Sequence, residues 1–536
     1  MTAMPPDPGR NRPMPSDPVP GPEPSPEPQA AAYLPPATYT PAPYEPPAAY
    51  PLQQLPPGAG FITPAPARRR RWWVAALAVA LVVALAAAGF VGYRAVHRSR
   101  GHAYPSAWDP RVLPSVRFVE KARGLSFKHP IKVEFLADAA FRKQVTSDPT
   151  KVTAAEKKGL ADSAAELRAV GLVSGNLDLG AAIDQLQGDS VVGFYNFRTK
   201  SIAVRGQTLS LADKVTLVHE LTHALQDQYF DISTYAAGLG SDESGAADGF
   251  RAVTEGDAVR VENDFVRSLT PAQKRQESKE QAAAEALARQ GAHGLPQILA
   301  VLQEQPYTLG RAMVDFQLQA RGETGVDDLF KTWPTSDMQV FQPWRYVAGD
   351  VPVPVSRPAL RAGEVRFDSG SFGADEWYFM LAQQLGPRAA LRATDGWAGD
   401  AFVAYRTRTR TCLRVDYRAD SAGHLQTMRA ALSAWVKAVP ATRASVRPSG
   451  RGLRFESCDP GTAHPATVAP RSGAALGFAV DRVDLATGFM RGGIDLAVAG
   501  CAATKVMDEL PVAQIIAKHP TARTHNLVVR AVRSCT

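Results

Sequence analysis

The sequence predicts a mostly helical α+β domain with a small sheet, placed behind a single membrane-spanning helix. Three observations predict it. The chain of 536 residues carries 22 of its 43 Pro before Arg68. An uncharged apolar run follows that segment. Beyond the run, helical periodicities dominate and only a few short stretches alternate like strands.

Residues 1–67 are rich in Pro, Ala, Glu and Tyr and hold almost no branched aliphatics, so they cannot bury enough apolar surface to offset chain entropy. Pro–Pro steps interleaved with Tyr33, Tyr39, Tyr44 and Tyr50 favour polyproline II, which serves as a solvated spacer or docks on a cytoplasmic partner's aromatic groove. Residues 68–93 read as a basic flank and a transmembrane helix. Trp72 to Tyr93 lack charge, Trp72, Trp73 and Tyr93 mark the two ends, and Arg68 to Arg71 abut the run. The four Arg point to a cytoplasmic N-terminus in a single-pass protein of the cell membrane, with the remainder outside the cell. Residues 94–114 are a linker and 115–536 the outer domain. The formal net charge of +8 is too dilute to argue for nucleic acid.

The four Cys, at 412, 458, 501 and 535, all fall in the outer part, and none has CxxC spacing. In an oxidising space they suggest two disulfides. Of the three pairings, Cys412–Cys458 and Cys501–Cys535 are expected because they are local in sequence.

Within the outer part, Val116 to Gly124 read as a helix stopped by Gly, and Ile131 to Leu136 as a strand. Helical patterns follow near 152–170 and 178–187. The stretches 191–196 and 201–206 form a hairpin. Ser210 and Asp213 have capping-box spacing and open a long helix whose stripe is Val215, Val218, Thr222 and Leu225. A second helix is expected from Gly245 to Phe265, and Thr270–Pro271 start another, with helix continuing to Arg321. Past Pro352 a helix near 375–385, strands near 400–416, a helix near 423–438 and short strands to the end are expected.

The long helix carries His219, Glu220, Leu221, Thr222 and His223, an HExxH pattern. Residues i and i+4 lie one turn apart on one face, so both imidazoles can reach one metal ion. Glu220 sits about 100° around the helix and can flank the ion as a proton acceptor. A catalytic zinc takes three protein ligands and keeps one position open. Glu255 is the expected third, a carboxylate among Val253, Ala258 and Val261 that needs a partner there. Gly256 beside it costs helix stability, which a close approach between this helix and the HExxH helix would explain. Asp257 is a candidate acceptor for a ligand imidazole, and Glu262 and Asp257 are the next positions for a third ligand.

LVHELTHALQDQ followed by EGDA resembles the gluzincin type of zinc metallopeptidase, and more narrowly a bacterial family of neutral zinc metallopeptidases. FVEKARGLSFKHPIKVEFL, GFYNFRTKSIAVRG, PYTLGRAMVDF, GVDDLFKTWPTSDMQVFQPWRY and GWAGDAFVAY carry the resemblance across about 118–406, and it continues more weakly through ESCDPG. It implies a zincin-like ectodomain that hydrolyses a peptide or protein substrate, with Zn2+ on His219, His223 and Glu255 and Glu220 as general base. It also implies an edge strand that pairs with the substrate, for which Ser201 to Val204 is the expected segment. Relatives often carry His before Pro in the VxxP segment, where this chain has Gln342 before Pro343. If that His stabilises the oxyanion, the rival reading is an inactive zinc-binding module. Tyr307 is a further candidate oxyanion donor, set against simple packing at a helix start, and Arg205 and Arg345 are weaker ones.

Overall fold

A computed structural model describes residues 104–146, 152–239, 244–463, 472–510 and 521–536. The expected spacer and apolar run, residues 1–93, lie outside the described residues. Among the described residues no helix is long and apolar enough to cross a membrane. The longest, Gln297–Lys331, carries Arg311, Asp315, Arg321, Glu323, Asp327 and Asp328 along its length. The membrane-spanning part of the expected fold class is therefore dropped. Among the described residues there are two small sheets where one was expected.

The first half builds the site. Helix α1 (Leu113–Arg123) ends on Gly124, whose φ of 65° is the left-handed conformation that glycine adopts without Cβ strain. Then come β1 (Lys132–Leu136), α2 (Asp138–Val145), α3 (Ala154–Ala169), α4 (Leu179–Ser190), β2 (Gly193–Asn196) and β3 (Ser201–Arg205). Their sheet has the order β1-β3-β2, with β1 parallel and β2 antiparallel to β3. Ser201 to Val204 is thus the central strand rather than an edge, because both β1 and β2 pair with it. The edge beside the long helix is β2.

That helix, α5 (Leu211–Phe230), starts at the expected box: Ser210 Oγ accepts from Asp213 N at 3.1 Å and Asp213 Oδ2 accepts from Ser210 N at 2.8 Å. Its stripe residues Val215, Val218, Thr222 and Leu225 are buried, and Val218 and Leu225 pack with Val116, Ile202, Val204 and Val261 in one apolar cluster. After α6 (Ile232–Gly238), α7 (Ser244–Ser268) crosses α5 and brings Glu255 to it. Helices α8 (Pro271–Gly291) and α9 (Gln297–Lys331) complete this half.

Gly256 does mark a close approach, but the partner is α9. A Cβ built on Gly256 would lie 2.2 Å from the carbonyl carbon of Gly310, and one on Gly310 would lie 2.0 Å from the Ala252 oxygen. The backbones of α7 and α9 touch there. Gly256→Ala is expected to push them apart and destabilise the chain by about 1–3 kcal/mol, the usual cost of overpacking. A urea midpoint unchanged from wild type would contradict this.

The second half holds α10 (Met338–Phe341), α11 (Pro343–Val347), β4 (Val365–Gly370), α12 (Ala374–Leu385), α13 (Pro387–Thr394), β5 (Trp397–Arg406), β6 (Thr411–Ala419), α14 (Ala422–Ala438), β7 (Ser445–Ser449) and β8 (Gly452–Cys458). These strands form an antiparallel sheet ordered β4-β5-β6-β8-β7. Buried Asp400 on β5 accepts from Phe372 N, Ser371 Oγ and the indoles of Trp377 and Trp397, at 2.7–2.9 Å, and so ties the sheet to the start of α12. The strands expected at the C-terminus are instead helices α15 (Ser472–Arg491), α16 (Leu496–Glu509) and α17 (Ala522–Arg533). Ala475, Ala479, Val483 and Ala486 supply an i, i+4 apolar stripe that a strand would scatter over two faces. Both expected disulfides are present: Cys412–Cys458 joins register partners on β6 and β8, and Cys501–Cys535 ties α16 to the second residue past α17.

Candidate metal centre

His219 and His223 lie in the buried middle of α5, with 7% and 6% of their surface exposed. Glu255 reaches them from α7. Three atoms converge: His219 Nε2 is 3.1 Å from His223 Nε2 and 3.1 Å from Glu255 Oε2, and His223 Nε2 is 3.2 Å from the same oxygen. Bonds of 2.0–2.2 Å to a tetrahedral ion place ligand atoms roughly 3.3–3.5 Å apart. The triangle is within a few tenths of an ångström of that requirement.

The outward nitrogens set the ring states. His219 Nδ1 meets Glu262 Oε2 at 3.1 Å and His223 Nδ1 meets Gln226 Oε1 at 3.1 Å. Both partners are acceptors, so each Nδ1 carries a proton and each Nε2 is the nitrogen left for an ion. Two imidazole nitrogens and a carboxylate oxygen are a donor set that suits Zn2+. Burial disfavours charge on both imidazoles. The carboxylates of Glu255 and Glu262 beside His219, and of Glu255 beside His223, outweigh it and hold both pKa values above the ordinary histidine value. Burial would raise Glu255, but the two imidazoles hold its carboxyl far below the usual range. The same anionic surroundings favour a dication.

Glu220 faces β2. Its Oε2 accepts from Tyr195 N at 2.7 Å, and burial pushes its pKa up, opposed by His219 and His223. Gly193 permits this contact: a Cβ there would stand 3.0 Å from Thr216 Cγ2 and 3.5 Å from Glu220 Cγ. Tyr307 stacks on His219, ring centroids 5.9 Å apart, and keeps 36% of its surface exposed. The charge of Glu255, then burial, raises its pKa well above the ordinary tyrosine value.

Four sequence candidates lie elsewhere. Asp257 touches neither imidazole; it accepts from Arg123, Arg260 and Gln226. Buried Gln342 donates to Asp395 Oδ1 at 3.0 Å, in the turn between α13 and β5. Arg205 lies over the Phe141 ring and Arg345 binds Asp350 and the Trp397 carbonyl. The sequence reading missed Gln226 altogether and took Glu262 for an alternative ligand. The signal was spacing: Gln226 is three residues after His223 and Glu262 two turns after Glu255, on the same helix faces.

A second convergence, Asp248, Asp375 and Glu376, offers carboxylate oxygens within 4.8 Å of one another. Burial first, then the charge of Asp375, pushes Asp248 up to about 7 against the pull of Arg251. Burial and its acidic neighbours raise Asp337 and Glu376 as well, whereas Asp375 is held down by hydrogen bonds from Glu376, Asp337 and Gln305 despite its burial. A raised folded-state pKa stabilises the fold below the unfolded value, and that stability is lost as pH rises through the folded value. For Asp248 the window runs from about 4 to about 7. Asp248→Asn is therefore expected to gain thermal stability relative to wild type as pH rises across that window. An offset in Tm that stays constant from pH 4 to 8 would contradict this.

Comparison with known proteins returned nothing: no family model, no curated protein and no solved structure matches the chain.

Proposed function

We propose that this domain is a zinc-dependent peptidase of the gluzincin type. The observation that carries the reading is the triangle of His219 Nε2, His223 Nε2 and Glu255 Oε2, with the Glu220 carboxylate held beside it by the backbone of an edge strand. Zinc, when bound, lowers the pKa of water and polarises the scissile carbonyl. Glu220 takes the proton of the attacking water and returns it to the leaving amine. The Tyr307 ring, stacked on His219, makes its phenol the candidate donor to the oxygen that gains charge.

Strand β2 is suited to hold the substrate. Val192 O accepts from Arg205 N at 2.8 Å, so the alternation of an antiparallel pair turns the peptide groups of Gly193 and Tyr195 away from β3. Tyr195 N is spent on Glu220. The Gly193 amide and both carbonyls are left to pair with an extended peptide, the main-chain recognition that edge strands offer. An open cleft of about 510 Å³ lies over the sheet face turned away from α5, lined by Lys132 and Glu134 of β1, Ser201 and Ala203 of β3 and Phe194 and Asn196 of β2, so it is separate from the metal side. The two disulfides suit work in an oxidising compartment. The inactive-module reading rested on Gln342, whose amide is engaged by Asp395.

The test is digestion of a peptide library by the purified full-length chain, read by mass spectrometry with and without chelator. Cleavage that stops with chelator and returns with zinc supports the reading. A zinc-loaded chain that leaves every peptide intact overturns it.

A further inference from the structure

Asp257 is fully buried, yet its carboxylate contacts neither histidine. It accepts from Arg123 Nε at 3.0 Å, from Arg260 Nη2 at 3.0 Å and from Gln226 Nε2 at 3.0 Å. A carboxylate only accepts, so the end of the Gln226 amide facing it must be the NH2. The second amide hydrogen goes to the Thr254 carbonyl, 3.1 Å away and again a pure acceptor. Turning the amide over would set its oxygen about 3 Å from both acceptors, with no hydrogen between them. The amide is therefore locked with Oε1 toward His223 Nδ1.

We propose that Asp257 is a positioning residue for the metal centre: through the locked amide of Gln226 it fixes the Nδ1–H tautomer of His223 and so aims the Nε2 lone pair at the ion. The inference rests on the zinc-site reading above and adds a residue that touches neither metal nor ligand. The two histidines are oriented differently. His219 has a carboxylate directly on Nδ1, from Glu262 at the half-exposed rim. His223 lies against the interior, where a carboxylate in the same place would be a charge without a counterion. Here the charge sits one amide deeper, where two guanidiniums neutralise it. Those guanidiniums are braced in turn, Arg123 by Glu323 and Asp327 and Arg260 by Glu323, all at 2.8 Å. The relay thus joins α5 and α7 to α1 and α9.

A double-substitution cycle on the full-length chain separates this role from simple bracing. Zinc affinity is measured by competition with a chromophoric chelator for wild type, Gln226→Met, Asp257→Asn and the double variant. Circular dichroism of the zinc-free chains checks their folding. Each single variant is expected to bind zinc about 10–100-fold more weakly, the usual cost of losing an outer-shell partner. The double variant should be no more than about twofold weaker than Gln226→Met, because Asp257 acts only through that amide. Losses that multiply in the double variant, or unchanged affinity in folded Asp257→Asn, overturn the proposal. Should Asp257→Asn fail to fold, Gln226→Met decides: it leaves both arginines paired, and wild-type affinity in it also overturns the proposal. A wild-type chain that binds no zinc fails the underlying reading instead.

Discussion

Glu220→Gln is expected to slow peptide hydrolysis by about 10²–10⁴-fold, the range general acid–base catalysis supplies, while the chain keeps its zinc. Gln preserves the length of the side chain and can still accept from Tyr195 N, so the helix, the edge strand and the gap between them keep their places. What disappears is the group that takes the water's proton. None of the three converging ligand atoms belongs to residue 220, so affinity for the ion should hold. Initial rates and zinc per chain, measured on the same preparation, check both halves. Undiminished hydrolysis would mean that another residue is the base.

Glu255→Ala should do the reverse and act first on the metal. It removes one of the three converging atoms and leaves two imidazoles, so the loss of zinc affinity should exceed the ~10–100-fold that follows loss of an outer partner. Glu262→Ala supplies the internal comparison. Glu262 contacts only the far nitrogen of His219, so its removal should fall within that smaller range. Equal losses in the two variants would mean that Glu255 is not a ligand. Chelator competition on folded variants gives both numbers.

The ligand set was legible because a helix converts spacing into geometry. His219 and His223 are one turn apart on a helix whose start Ser210 and Asp213 announce, and Glu255 stood out as a carboxylate among apolar neighbours. The partners of the histidines were less legible. Glu262 reaches His219 only once α7 packs on α5, and the Gln226 amide is turned toward His223 by Thr254 and Asp257 of α7. At Gly256 a close approach to the HExxH helix was expected, whereas the backbone that meets it is that of Gly310 on α9. The strand order had a similar limit. The hairpin of 193–196 and 201–205 could be read from alternation, whereas the pairing of Lys132 with Ser201, which places β3 in the centre, joins segments 69 residues apart. Gln342 shows the same limit: its place in a motif did not say what its side chain meets, which is Asp395.

X-ray absorption at the zinc edge, on the full-length chain stripped with chelator and reloaded, tests the central claim most directly. It should show one zinc per chain with two imidazole nitrogens and carboxylate oxygen at about 2.0–2.2 Å and no sulfur. A chain that retains no zinc, or zinc without imidazole scattering, would contradict the assignment of His219, His223 and Glu255.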